Sequence, residues 1–373
     1  MDSQLLPPAV DDAIDLARVR RALVIKLRHH GDVLLTSPVF TVLKRAAPHA
    51  EIDALIYRET LPMLDGHPAI SMVHTVDRDG EARGVTARLA REWALLRALA
   101  SRRYDLVVHL TDHPRGAWLT RILGARYGVA PERPRSRRFW QWCFTHRYLL
   151  PRATPRHTVE ANLDALRRIG IWPLDADKAL VFNAGEAAKA RIAELLRAHG
   201  LSPGEFIVVH PGSRWLFKCW PAERTATLID WLAASRWRVV LTGAPDPAEA
   251  LLVTEILRRT RGTPINVAGQ LTLAELGALI ASARLFIGCD TAPMHIAAAV
   301  QTPVVAIFGP SGEAEWGPWR VPNRVVVSTV HRCRPCGNNG CGGSNLSDCL
   351  LTLPVATMEQ AVTELLAETA PPR

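Results

Sequence analysis

The strongest constraint on this chain is an alternation that runs almost from end to end: a short β-branched apolar run, a turn, then a stretch with helical spacing. ALVIKL (22–27), flanked by Arg21 and Arg28, has the near-continuous apolar character of a strand buried on both faces. From Leu35 the apolar residues Leu35, Val39, Val42, Leu43 and Ala46 keep helical spacing until Pro48. EIDALIY (51–57) and SMVHTV (71–76) read as further strands, and a long amphipathic stretch over 85–101 precedes DLVVHL (105–110). Strands alternating with helices imply βαβ units and a parallel sheet.

The pattern breaks over 131–156. Seven arginines and no acid lie between Arg133 and Arg156, with Phe139, Trp140, Trp142, Phe144 and Tyr148 among them. For 133–148 the bland reading is a solvated loop over part of the core; the functional one is contact with a phosphorylated sugar or lipid at a membrane face. HTVEANLDALRRIG (157–170) predicts a helix closing the first half. After a looser stretch the alternation restarts at FIVVH (206–210). It continues through a helix at 221–234, RVVLTG, a helix at 247–259, INVAG, a helix at 272–282, LFIGCD (285–290), a helix at 291–300 and PVVAIFG (303–309). MEQAVTELLAE (358–368) is a final helix.

Two such halves predict an α/β chain of two Rossmann-like domains facing across a cleft. The expected division is a flexible leader over 1–20, an acceptor-binding domain over 21–175, a nucleotide-sugar-binding domain over 176–355 and a C-terminal helix and tail over 356–373. A length of 373 residues suits two domains. Neither half contains G-x-G-x-x-G, which argues against a dinucleotide dehydrogenase. With 48% hydrophobic and 22% charged residues the composition is that of a globular protein, and no run of eighteen apolar residues appears. The first twenty residues lack the apolar core of a signal peptide, so a cytoplasmic protein with reduced thiols is expected. The net charge of +9 suits a polyanionic partner without choosing among nucleotide, nucleic acid and anionic membrane.

Three loops carry the chemistry, each where a strand gives way to a helix, the place where open α/β sheets bind ligands. In HHGDVLLTSP (29–38), Gly31 allows a tight turn, and Asp32 is either a helix cap or a carboxylate placed to take a proton from an acceptor hydroxyl. In HPGSRWLFKCWP (210–221), Ser213 offers a hydroxyl and Lys218 an ammonium; the alternative is a surface turn with a solvated lysine. In CDTAPMHIAAAV (289–300), Asp290 ends a strand and Thr291, Ala292 and Pro293 start a helix suited to phosphate, with His295 in its first turn; the alternative is a cap and a structural histidine. Cys333, Cys336, Cys341 and Cys349 are spaced C-x2-C-x4-C-x7-C and would either hold a structural zinc or remain packed thiols.

Together, VIKLRHHGDVLLTSPVF, HPGSRWLFKCWPAER, LTLAELGALI, GCDTAPMHIAAAVQTPVVAIFGPSG and CRPCGNNGCGGSNLSDCL, in this order over about 21–365, resemble glycosyltransferase family nine, the lipopolysaccharide core heptosyltransferases. The Ala-Pro after Asp-Thr and the late cysteines look most like its third class, which adds a branch heptose to the inner core. The resemblance implies a GT-B fold, ADP-L-glycero-D-manno-heptose as donor, a lipopolysaccharide inner-core acceptor and an inverting transfer that requires no metal or other cofactor. On the family's pattern Asp32 matches the base and Lys218 the lysine on the donor diphosphate. Asp290, Thr291 and His295 match donor contacts, and Leu271 an apolar residue near the adenine. Ser213 and Ala292 complete the expected donor set. His29, His30, Arg135, Arg137 and Arg138 are the expected acceptor contacts. Several relatives have Gly at the position of Ala292, and many carry small hydroxyl residues in place of His29 and His30. A protein at the cytoplasmic face of the inner membrane follows from such an acceptor. A GT-B sugar-nucleotide epimerase would share the form, but the arginine-rich stretch and the match of Asp32 speak against it. A basic nucleic-acid-binding module would show an RRM, KH, helix-turn-helix or basic-helix pattern, and none appears, so no nucleic-acid partner is expected.

Overall fold

The structure is a computed structural model and describes residues 10–78, 84–133, 137–150 and 154–370. The chain divides into two compact units, Met1–Val181 and Phe182–Arg373.

In the N-terminal unit six strands, β1 (Arg21–Lys26), β2 (Glu51–Tyr57), β3 (Met72–Val76), β4 (Leu106–His109), β5 (Tyr127–Pro131) and β6 (His146–Tyr148), form a sheet in the order β3-β2-β1-β4-β5-β6. Every pairing is parallel, with Ile25 of β1 level with Leu55 of β2 and His109 of β4. The connecting helices are α1 (His30–Leu34), α2 (Ser37–Ala46), α3 (Val85–Arg102), α4 (Pro114–Leu123), α5 (Arg137–Cys143) and α6 (Thr158–Arg167). Ala22, Leu23, Val24 and Ile25 are fully buried, as a central strand covered on both faces requires. The buried Asp53 of β2 ties the end of α3 to the sheet, accepting from Arg102 Nε at 2.8 Å and Tyr104 Oη at 2.7 Å. Burial alone would raise its carboxyl, but bonds from His74, Arg102 and Tyr104 outweigh that and hold it below the usual range.

Two expectations are revised here. The bland reading of 133–148 as a solvated loop fails over 137–148, where α5 and β6 lie and Trp140, Phe144 and Tyr148 are buried. The stretch 1–20, expected as a flexible leader, makes tertiary contacts over its described part. Asp12 accepts from Arg168 at 2.7 Å, Ile14 N donates to Ile169 O at 3.3 Å, and Val19 is buried.

The C-terminal unit has a second six-stranded parallel sheet: β7 (Phe206–His210), β8 (Arg238–Leu241), β9 (Ile265–Asn266), β10 (Leu285–Cys289), β11 (Val304–Phe308) and β12 (Asn323–Val327), in the order β12-β11-β10-β7-β8-β9. Its helices are α7 (Gly185–Ala198), α8 (Ala222–Ala234), α9 (Pro247–Arg259), α10 (Leu273–Ser282), α11 (Ala292–Ala299), α12 (Glu313–Trp316), α13 (Asp348–Leu351) and α14 (Val355–Glu368). Local signals set their starts. Asp246 caps α9 ahead of Pro247, and Thr272 with Glu275 forms a reciprocal capping box on α10. Met358, Ala361, Val362 and Leu365 give α14 one apolar face, which closes the core beside β11 and β12. Read from β9, this sheet has the same order as the first, the doubly wound 3-2-1-4-5-6 arrangement.

Candidate functional site

In this arrangement the chain leaves strands one and four of each sheet in opposite directions, which opens a crevice beyond their carboxyl ends. In the N-terminal unit those strands are β1 and β4; in the C-terminal unit they are β7 and β10. All three loops singled out from the sequence leave from these strands.

Beyond β1, His29 is the N-cap residue of α1 and Asp32 stands in its first turn. Asp32 is therefore not the cap, and its carboxylate makes no side-chain hydrogen bond among the described residues. Gly31 is helical rather than left-handed, so its value is the absence of a side chain. His29 and His30 are both engaged: Arg78 donates to His29 Nδ1 at 2.9 Å, and His30 Nε2 lies 2.7 Å from Glu59 O.

The residue missed by sequence reasoning is Lys26, the last of β1. It is buried, and its Nζ donates to Asn162 Oδ1 at 3.1 Å and to Leu110 O at 3.3 Å. Burial pushes its ammonium down to about 8, while the charge of Asp32 opposes the fall and that of Arg28 adds to it. The available signal was a lysine inside an otherwise apolar strand.

In the C-terminal unit, Gly288 of β10 is level with His210 of β7, so the loops after the two strands start side by side. That register brings Lys218 and Asp290 together although 72 positions separate them: Lys218 Nζ donates to Asp290 Oδ2 at 2.6 Å. Asp290 is buried and Lys218 half-buried, so the carboxylate backs the ammonium and leaves its other N–H bonds to a ligand. Ser213 is buried, and its Oγ accepts from Trp215 N at 3.3 Å. Under this turn sits Glu249, a second residue missed from sequence. It accepts from Ala244 N at 2.8 Å and lies 3.7 Å from His210 Nε2. Burial pushes Glu249 up and His210 down to about 4, which favours an uncharged pair. A Cβ on Gly212 would come within 2.3 Å of the Glu249 carboxyl, so a larger residue in that turn would have to displace this buried side chain.

Thr291 is the N-cap of α11 and spends no side-chain bond on capping, so its hydroxyl faces no competing helix amide. Ala292 opens the helix, and Pro293 fills a position whose N–H would have no intrahelical partner. The end of α11 thus offers a positive dipole end beside Lys218 and Asp290. His295 is buried within α11. Leu271, half-buried, precedes the N-cap Thr272 of α10.

Arg138 is exposed on α5. Arg135 lies outside the described residues, as does the side chain of Arg137. Cys333, Cys336 and Cys341 are exposed and Cys349 is buried. Among the described residues no group of three or more His, Cys, Asp or Glu is arranged to hold a metal ion.

Comparison with known proteins agrees with this fold. The family model described as glycosyltransferase family 9 (heptosyltransferase) matches residues 92–346. The chain is 37% identical over 295 residues to lipopolysaccharide heptosyltransferase 3 of Escherichia coli, covering 79% of this chain and 84% of that one. Among solved structures it resembles a glycosyl transferase family 9 protein from Veillonella parvula, with TM-score 0.81 and 24% identity over 96% of this chain and 100% of the other. It also resembles E. coli ADP-heptose lipopolysaccharide heptosyltransferase II, with TM-score 0.74 and 20% identity over 94% and 100%. These two likenesses establish the GT-B fold.

Proposed function

This chain belongs to glycosyltransferase family 9, the heptosyltransferases, and from that premise we propose that it transfers L-glycero-D-manno-heptose from ADP-heptose to the inner core of lipopolysaccharide, with inversion and without a divalent metal. The observation that carries the reading is the Lys218–Asp290 pair at 2.6 Å in front of α11, a cationic seat for a diphosphate.

Asp32 removes the proton from the acceptor hydroxyl as its oxygen attacks the anomeric carbon. The bond from that carbon to the diphosphate oxygen breaks, and ADP leaves. Lys218 and the start of α11 take up the charge that develops on the diphosphate. Asp290 acts through Lys218 by fixing its ammonium. The Thr291 hydroxyl, the Ala292 backbone, Ser213 and His295 bound the donor phosphates and sugar, and Leu271 lies near the adenine. Lys26 is a positioning residue, a buried cation whose field acts on the Asp32 carboxylate. His29, His30 and the arginines of α5 serve the acceptor. The protein works at the cytoplasmic face of the inner membrane in peripheral contact with it; no described helix is long and apolar enough to cross a membrane.

The test is incubation with ADP-heptose and a core acceptor that lacks the branch heptose. The expected result is an acceptor heavier by one heptose, with ADP released in equal amount. ADP-heptose consumed with no gain in acceptor mass would overturn the reading.

A further inference from the structure

We propose that the outer faces of α4 and α5 form a docking surface for an anionic phospholipid membrane. This deepens the membrane contact named above, and rests on that reading for the lipid-borne acceptor that makes docking useful. The surface itself is argued from side chains.

Helix α4 turns Gly116, Ala117, Leu119 and Thr120 inward and leaves Trp118, Arg121 and Ile122 outside, with Trp118 50% and Ile122 60% exposed. Helix α5 buries Trp140 and Cys143 and leaves Trp142 53% exposed. The two faces form one patch. The Trp118 ring lies 5.8 Å from that of Trp142, edge to face, and 4.9 Å from that of Phe139. The Arg121 guanidinium stands 4.6 Å from the Trp142 ring centre. Half-exposed rings of this size with Ile122 leave roughly 300 Å² of apolar surface in contact with water, the scale at which a patch marks an interaction site.

The charge of the surroundings selects the occupant. Residues 114–150 hold eight arginines and one glutamate, with no aspartate and no lysine. Arg115 is paired with Glu92 and Arg147 with Glu132, but Arg121, Arg126 and Arg138 meet no carboxylate among the described residues. Indole rings settle at the level of lipid headgroups, and guanidinium groups bind phosphate in a bidentate manner. Exposed indole rings beside Arg121, on a segment where Arg126 and Arg138 also meet no carboxylate among the described residues, therefore match a surface that is apolar beneath and anionic above.

The test uses the full chain and vesicles without any sugar acceptor. Wild-type protein should sediment with phosphatidylethanolamine–phosphatidylglycerol vesicles at least ten times more tightly than with pure phosphatidylcholine, and less so as salt is raised. The double variant Trp118→Ser/Trp142→Ser should lose that preference at least tenfold. Arg121→Glu/Arg126→Glu, which keeps the aromatic rings, should lose it too. Both variants should remain stabilised by ADP in a thermal shift, which shows that the fold and the donor site are intact. Variants that bind these vesicles like the wild type would overturn the proposal. So would a wild-type dimer that the tryptophan variant dissociates, since the patch would then serve a second copy of the chain. Failure of ADP to stabilise the wild type would instead strike the transferase reading and leave the docking result standing.

Discussion

The two units repeat one strand order, yet at their switch points the charges are layered in opposite senses. In the N-terminal unit the cation lies behind: Lys26 is buried at the end of β1, and the carboxylate of Asp32 stands in front, free of hydrogen bonds among the described residues. In the C-terminal unit the carboxylate lies behind: Asp290 is buried at the end of β10, and the ammonium of Lys218 stands in front. A base needs its carboxylate outermost, and a phosphate seat needs its cation outermost. In the C-terminal unit the buried carboxylate bonds the front ammonium directly, whereas in the N-terminal unit the buried cation bonds Asn162 and Leu110 and acts on the front carboxylate only through its charge. On the proposed reading, the same topology serves two chemistries by exchanging which charge the strand end carries and which the loop carries.

The largest effect that tests this contrast is in the N-terminal unit. Asp32→Asn keeps the shape of the side chain but not the base, so turnover should fall by about 10²- to 10⁴-fold, the usual worth of general base catalysis. Near-normal turnover would leave the N-terminal carboxylate a merely structural group and remove its half of the contrast. A smaller effect comes from behind the carboxylate. Burial pushes the Lys26 ammonium down to about 8, so the charge acting on Asp32 should be present below that pH and lost above it. Wild-type turnover should decline as the pH rises through 8. Lys26→Met should lack that step and run about tenfold slower at pH 7, the worth of roughly 1.4 kcal/mol; a step that persists in the variant would remove Lys26 from the account.

Acid should separate the units more gently. Burial first of all pushes His67 down to about 4, His109 to about 3 and His210 to about 4 from an ordinary 6.5. A group depressed in the folded chain gives stability that is full above its unfolded value and is lost as the pH falls through the folded one. Two of these histidines lie in the N-terminal unit and one in the C-terminal unit. The melting temperature should fall by several °C between pH 6.5 and 4.5, and less steeply in His67→Gln, which keeps an N–H for Ser37 O. An identical slope in the variant would contradict the assignment. The smallest effect is none: with Lys218 and α11 carrying the phosphate charge, EDTA should leave the rate unchanged, and activity lost to EDTA and restored by magnesium or manganese would contradict the metal-free mechanism.

Much of this contrast was legible in the sequence where local pattern suffices. EIDALIY is β2 to the residue, and 247–259 is α9, because an apolar run and an Asp-Pro start are local signals. Helix α7 escaped because its inward face is thin, built on Ala188, Ile192, Leu195 and Leu196. Strand β5 escaped because TYR-GLY-VAL-ALA-PRO carries a glycine inside and a proline at its end, and α5 because seven residues rich in arginine and tryptophan show no helical stripe. Asp32, Lys218 and Asp290 stood out through their loops and through family resemblance. The Lys218–Asp290 bond did not, because the chain visits β8 and β9 before β10 returns beside β7. Lys26 was hidden by the apolar run that buries it.

The claim that one unit holds the base and the other the donor is tested most directly by titrating ADP into Asp32→Asn and Lys218→Met side by side. The account predicts that Asp32→Asn binds ADP like the wild type, while Lys218→Met binds it at least tenfold more weakly, having lost the ammonium that Asp290 holds at 2.6 Å. Loss of ADP binding in Asp32→Asn, with wild-type affinity in Lys218→Met, would contradict it.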